Sequence, residues 1–191
     1  GNITAGGIKS QWNNGSGLAL FNYYTGSTGT VTLLGTLGQN VFEGNALAGM
    51  RIFSNGNVTL SNFLVKNNGS KYATDPLSAG MYIQTGGKVL LSSGTVAENP
   101  YNGILIDSYG SVTMSKMMVM MNGWNYLGNN DRSGIEIYAH DNVVSLTYSL
   151  VFGNDKHGLL IHDGYGSPIL TGTVFFGNDL DGSGDADWIV Y

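Results

Sequence analysis

The sequence predicts an all-β parallel solenoid, a single domain over residues 1–191 in which about six or seven coils, each of three short strands, stack on one another. Three observations predict it. A Gly-apolar-x-apolar tetrapeptide recurs along the chain. A short alternating strand follows it about nine to eleven residues later in most copies. A third apolar patch then ends in Asn. Units this small cannot bury a core alone, and stacking neighbours on one another is how repeats of this kind become stable.

The first strand of each coil opens at Gly17, Gly49, Gly80, Gly103, Gly134 and Gly158, as in Gly49-Met50-Arg51-Ile52 and Gly103-Ile104-Leu105-Ile106. Asp187-Trp188-Ile189-Val190 is a last copy without its Gly. The second strand reads Val31-Thr32-Leu33, Val58-Thr59-Leu60, Val89-Leu90-Leu91, Val112-Thr113-Met114, Val144-Ser145-Leu146 and Ile169-Leu170-Thr171. The third ends at Asn45, Asn67, Asn99, Asn122, Asn154 and Asn178, with Asn13 as the first of the series. Three residues before these stand Phe42, Leu64, Val96, Val119, Val151 and Phe175. Period-2 alternation marks each piece as a strand. Gly, Asn, Asp and Ser supply the turns, because they tolerate positive φ or bond their own backbone. Stacked coils place like residues in columns about 4.8 Å apart, and a column of Asn can chain its side-chain amides through a turn. Residues 1–39 fit the pattern loosely and are expected to form irregular first coils.

Composition agrees. The chain has 30 Gly, 20 Asn, three Pro and no Cys, with 42% hydrophobic and only 11% charged residues. Lack of Cys excludes a disulfide scaffold, and the apolar fraction excludes disorder. No apolar run reaches the ~18 residues of a membrane span, so no membrane insertion is expected. A net charge of −5 gives no basic footprint for nucleic acid. Few charges among many Gly, Asn, Ser and Thr suit an extracellular or cell-surface protein of a bacterium.

The Val-x-Leu strand, the Asn column and the Gly-Ile-x-Ile strand resemble the repeat of the right-handed parallel β-helix, the pectate-lyase-like superfamily. The resemblance covers residues 40–191 well. It implies a right-handed coil, and it implies no single function, because that superfamily holds lyases, hydrolases, tailspikes, adhesins and structural repeats.

Three places invite chemistry. The outward side of the first strand carries Ala19, Arg51, Tyr82, Leu105, Glu136 and Leu160, and two residues further on Phe21, Phe53, Gln84, Asp107, Tyr138 and His162. Loops 68–79, 123–133 and 179–186 project on every second coil and border this face with Tyr72, Trp124 and Tyr126. Phe53, Tyr82, Trp124, Tyr126 and Tyr138 are therefore candidate contacts for sugar rings. Asp107 and Glu136, on neighbouring coils, could form a glycosidase-type carboxylate pair with Tyr138 and His162 beside them. Lys156-His157-Gly158 is similar to the His-Gly strand of polygalacturonases, but the preceding coil offers Arg132-Ser133-Gly134-Ile135-Glu136 where an Asp-Asp pair should stand, so that carry-over fails. Asp179, Asp181, Ser183, Asp185 and Asp187 have the alternate spacing of an EF-hand-type calcium loop, without its Glu at the twelfth position or its flanking helices. A structural calcium is the one cofactor this suggests. His140, His157 and His162 lack zinc spacing and read as surface residues.

The third strand is unusual, because both of its faces are apolar: Phe63, Val65, Met118, Met120, Leu150, Phe152, Val174 and Phe176 flank the inward column. Five of the seven Met fall within Met114–Met121. Met118, Met120, Phe152 and Phe176 should face outward and pack against another subunit, a neighbouring domain or a flanking segment. The middle column of the second strand, Thr32, Thr59, Leu90, Thr113, Ser145 and Leu170, is too broken by Leu to be a regular ice-binding Thr array. No capping helix is visible, so the domain is expected to be a segment of a larger chain or a self-stacking unit. The leading expectation is a non-catalytic extracellular structural or adhesive module that can assemble into a filament. A polysaccharide hydrolase or lyase, and a carbohydrate-binding module, are the alternatives.

Overall fold

The computed structural model describes residues 1–24, 26, 28–69, 78–124, 132–164, 166–179 and 187–190, with the side chains of Trp188 and Ile189 excepted. Among these residues it is an all-β solenoid of parallel strands, with a short 3-10 turn at Gly35–Leu37. A seven-stranded sheet takes one strand from each coil: Leu18–Asn22, Met50–Ser54, Met81–Thr85, Ile104–Ser108, Ile135–Tyr138, Leu159–His162 and Trp188–Val190. A twelve-stranded sheet forms the other two sides. One side runs Ile3–Gly6, Val31–Leu34, Val58–Lys66, Val89–Ala97, Val112–Ser115, Val144–Thr147 and Ile169–Thr171. The other runs Lys9–Gln11, Asn40–Glu43, the second half of Val58–Lys66, the second half of Val89–Ala97, Met118–Met120, Leu150–Phe152 and Val174–Phe176, each paired with the next. Residues 1–39 thus contribute four strands in register with the coils above them.

Alternation explains the core. The inward positions of all three sides, such as Val31, Leu33, Ile52, Val58, Ile83, Ile104, Val119 and Ile137, are essentially fully buried and form one continuous cluster. Two corners turn the strands through left-handed residues. The corner between second and third strands uses Asn62, Ser93, Lys116, Tyr148 and Gly172, with φ between 49° and 60°. The next uses Trp12, Gly44, Asn67, Glu98, Met121, Gly153 and Gly177, with φ between 54° and 66°.

After this second corner comes a ladder of buried amides. Asn45 donates its backbone N–H and its Nδ2 to Asn68 Oδ1, at 3.1 and 2.8 Å. Asn68 does the same to Asn99, Asn99 to Asn122, Asn122 to Asn154, and Asn154 to Asn178. Asn13 starts the ladder on Asn45 Oδ1, and Asn178 Nδ2 ends it on Asp187 Oδ1 at 2.8 Å. Each Nδ2 also reaches a strand carbonyl, for example Asn68 to Phe42 and Asn122 to Val96. Backbone groups that a buried turn would leave unpaired are satisfied in this way. The recurring Gly of the first strand lies against the ladder. A Cβ on Gly103 would stand 2.7 Å from Asn122 Cγ and 2.6 Å from the Gly134 carbonyl oxygen.

Three expectations are corrected. Asn68, not Asn67, occupies the ladder: Asn68 is fully buried, whereas Asn67 is exposed and forms the left-handed corner. The inward residue three before it is accordingly Val65, with Leu64 outside. Phe63 and Val65, expected to flank the inward column, are themselves buried at 2% and 0% exposure. In the last coil Ile169, not Leu170, continues the outward column of Ser145, and Leu170 packs on the core.

Candidate functional site

The seven-stranded sheet holds its outward residues in two ranks. Register places Ala19, Arg51, Tyr82, Leu105, Glu136 and Leu160 in one. It places Phe21, Phe53, Gln84, Asp107, Tyr138 and His162 in the other. A third rank follows just past the strand ends and includes Tyr23, Asn55, Gly86, Tyr109 and His140.

The first coils make this face aromatic. Phe21 stacks on Phe53 with centroids 5.1 Å apart, and Tyr82 meets Phe53 edge-on at 5.4 Å. Tyr23 leans on both Phe21 and Phe53. Arg51 places its guanidinium 5.7 Å from the Phe53 ring centre. Beside these rings opens a cleft of about 500 Å³, lined by Tyr23, Phe53, Asn55, Gln84, Gly86 and Tyr109 together with Ser54 and Thr85. Its volume is within the range of sugar- and drug-sized sites.

The later coils make it ionisable. Glu136, Tyr138 and His162 are brought together, whereas Asp107, in register with Tyr138, pairs with Gln84 and His140 instead. Glu136 is 8% exposed, although its register points it outward. Its Oε1 accepts from the Tyr138 hydroxyl and faces His162 Nε2, both at 3.1 Å, and its Oε2 accepts from Asn102 Nδ2. Asn102 is fixed in turn by accepting the Ser133 N–H at 2.8 Å. Asp107 accepts from Gln84 Nε2 at 3.0 Å and lies 2.7 Å from His140 Nε2. Both imidazoles lie flat on a Tyr ring, His140 on Tyr109 at 4.1 Å and His162 on Tyr138 at 4.3 Å. Burial, then the charge of Glu136 and its hydrogen bond, then the charge of Asp107, push the Tyr138 hydroxyl up to about 12.

His140 was not foreseen as a member of this site. It lies beyond the strand, at a φ of 45°, where strand alternation no longer predicts direction. The only sequence signal is its place two residues after Tyr138. Tyr82 is half-buried in a small outer cluster with Ala79, Tyr101 and Leu105 and does not line the cleft. Trp124 is also not brought to the cleft. It is exposed at the opposite corner, where its Nε1 donates to the Glu98 carbonyl at 3.2 Å. Tyr72 and Tyr126 lie outside the described residues.

The family is decided by a sequence model rather than by this site. The model described as "Right handed beta helix region" matches residues 1–175. The chain belongs to the right-handed β-helix family. No curated protein and no solved structure gives a match to it. Membership fixes the coil of this β-helix and leaves its activity open.

The remaining candidates lie elsewhere on the β-helix. Asp179 and Asp187 are described, whereas Asp181, Ser183 and Asp185 lie outside the described residues. One Asp187 oxygen is already taken by the Asn178 amide. Among the described residues no group of three or more His, Cys, Asp or Glu is arranged to hold a metal. On the third-strand side, Met118 and Phe176 are 39% and 49% exposed, and Met120 and Phe152 are half-buried. Phe152 stacks on Phe176 with centroids 4.9 Å apart. The Met120 rank turns polar in earlier coils, at Gln11, Glu43 and Lys66, whereas the Met118 rank keeps Val41 and Leu64 before ending at Lys9. The second-strand side presents Ser61, Ser92, Ser115, Thr147 and Thr171 beside the Thr column, a second hydroxyl rank that the tetrapeptide pattern did not reveal.

Proposed function

We propose that this β-helix is a non-catalytic adhesive module of an extracellular surface protein, and that it holds polysaccharide in the aromatic cleft of its seven-stranded sheet. The observation that carries this reading is the pairing of an open, ring-walled cleft with carboxylates that are already occupied. Tyr23, Phe53 and Tyr109 offer flat faces of the kind that pack on sugar C–H surfaces. Both oxygens of Asp107 and both oxygens of Glu136 are engaged by side chains of the β-helix itself. A general acid or base needs an oxygen within reach of substrate, and these are turned to neighbours. The apolar stripe through Met118, Met120, Phe152 and Phe176 supports cover by a neighbouring domain or subunit, in keeping with a structural role.

A second reading, a hydrolase or lyase, is favoured by the Asp107–His140 pair at the edge of the cleft. One assay separates the two. The native chain is incubated with a panel of immobilised and soluble polysaccharides, and both retention and released ends are measured. The expected result is retention by at least one polysaccharide without product, reduced at least fivefold by Phe53→Ala and by Tyr109→Ala. Steady release of product by the native chain would replace this proposal with the enzyme reading. Lack of both retention and product throughout the panel would remove both.

A further inference from the structure

We infer that the cleft is built to take an uncharged, hydroxyl-bearing glycan, and that Asp107 sets this selectivity by orienting Gln84. The inference rests on the glycan-binding reading and deepens it. Four polar side chains of the cleft, Gln84, Asn55, Ser54 and Thr85, are committed to the β-helix itself. Gln84 commits its Nε2 to Asp107 Oδ2 at 3.0 Å. Asn55 commits its Nδ2 to the Tyr24 carbonyl at 3.1 Å. The hydroxyls of Ser54 and Thr85 donate to the carbonyls of Gly29 and Gly56, at 3.3 and 2.6 Å. Those same hydroxyls accept the N–H groups of Gly56 and Gly87, each at 3.1 Å.

Beside the Tyr23 and Tyr109 hydroxyls, which can donate or accept, the cleft amides leave an acceptor pair open. Gln84 Oε1 and Asn55 Oδ1 have no partner among the described residues. A ligand that fits must bring donors, and sugar hydroxyls and amide N–H groups do so. An ionised sugar carboxylate or sulfate is acceptor-only and would meet oxygen against oxygen at Gln84 and Asn55. It would also meet the negative charge of Asp107 directly behind Gln84.

Asp107 keeps this polarity fixed, because its second oxygen is held by His140 Nε2 at 2.7 Å, so the carboxylate cannot swing away from Gln84. The imidazole is in turn clamped flat against Tyr109, which is a wall of the cleft. Gln84, Asp107, His140 and Tyr109 form one chain from floor to wall. Asp107 and His140 are positioning residues, and Gln84 and Tyr109 make the contacts. The nearest cation of the outward ranks, Arg51, does not line the cleft. It lies over the Phe53 ring, in the rank farther from the cleft floor.

The test compares matched neutral oligosaccharides, such as gluco-, xylo- and manno-oligomers, with oligouronates of the same length. Binding to the intact chain is measured by titration at low and high salt. The expected result is at least tenfold tighter binding of one neutral series than of any oligouronate. In Asp107→Asn the new amide can donate to Gln84 Oε1 and turn the Gln84 nitrogen into the cleft. Neutral binding should then fall at least fivefold while oligouronate binding rises. A melting curve on the same sample confirms the fold. Arg51→Gln should leave neutral binding unchanged. Tighter binding of an oligouronate, lost in Arg51→Gln, would overturn the inference and leave glycan binding in place. Unaltered selectivity in Asp107→Asn would also overturn it. Lack of binding to every oligosaccharide would overturn the inference and the reading beneath it.

Discussion

Replacing Asn68 should damage the β-helix far more than replacing Asn67 beside it. Asn68 Oδ1 accepts two donors from Asn45, and its Nδ2 donates to the Phe42 and Lys66 carbonyls, both at 2.9 Å, and to Asn99 Oδ1 at 3.3 Å. In Asn68→Ala the Asn45 Nδ2 keeps its bond to the Ser10 carbonyl. The buried Asn45 N–H loses its acceptor outright, and the Phe42 carbonyl loses its side-chain donor. Each buried group left unsatisfied costs ~1–3 kcal/mol, and a loss of about 3 kcal/mol follows when one such group is fully orphaned and a second in part. For a chain of this size that is a fall of roughly 6–12 °C in melting temperature. Asn67 is exposed, and its φ of 54° is the feature its replacement disturbs. Ala in a left-handed position costs ~1–2 kcal/mol relative to a relaxed backbone, and Asn67→Ala should lose only part of that, because Asn is favoured there and not free of strain. Thermal unfolding of both variants, followed by far-UV circular dichroism, makes the comparison. An Asn67→Ala protein that melts at or below the Asn68→Ala protein would refute the ladder assignment.

Three further outcomes follow from the same geometry. Gly103→Ala should lose ~1–3 kcal/mol by overpacking, because its Cβ meets backbone oxygen and a buried amide with no room to retreat, and calorimetry checks it. Tyr138 has a folded pKa above its unfolded value, so its contribution is complete below about pH 10 and is lost as pH rises toward about 12. Denaturant midpoints across that window should therefore decline less in Tyr138→Phe than in the native chain, and parallel profiles would contradict the shift. If the stripe is covered by a second copy, light scattering should show mass rising with concentration in the native chain and not in Phe152→Ser/Phe176→Ser. A strictly monomeric native chain at high concentration would count against self-assembly.

Strand columns were legible in the sequence because alternation and a recurring Gly fix direction residue by residue. The outward ranks of the seven-stranded sheet follow from those two facts alone. Legibility ended where the chain leaves a strand. The residue before each ladder Asn is Gly44, Glu98, Met121, Gly153 or Gly177, which share a left-handed φ and no chemistry. Nothing in composition then says which of Asn67 and Asn68 turns the corner. The same limit hid His140, whose direction is set by a positive φ rather than by alternation. It also misled the placement of Trp124, whose indole is held at the Glu98 corner. Phe63 and Val65 were misread because the register of the third strand was counted from the wrong Asn.

The two ionisable clusters are one device used twice, and the device follows from the solenoid spacing. Asp107-Ser108-Tyr109 and Glu136-Ile137-Tyr138 each place a carboxylate and a ring two residues apart on the outward side. One coil later His140 or His162 arrives above the ring. Coils repeat at about 4.8 Å, which is close to ring-stacking distance, so the imidazole lies flat on the Tyr at 4.1 or 4.3 Å. Its Nε2 then faces the carboxylate two residues back along the lower strand. An imidazole so placed fixes both the carboxylate and the ring. In both clusters the imidazole spans the carboxylate and the ring of the coil below. Tyr109, stacked on His140, also lines the cleft. On the glycan-binding reading, the charged residues of this face act as supports, and recognition falls to aromatic faces and amide oxygens. On that reading these groups select by shape and by donor position rather than by charge.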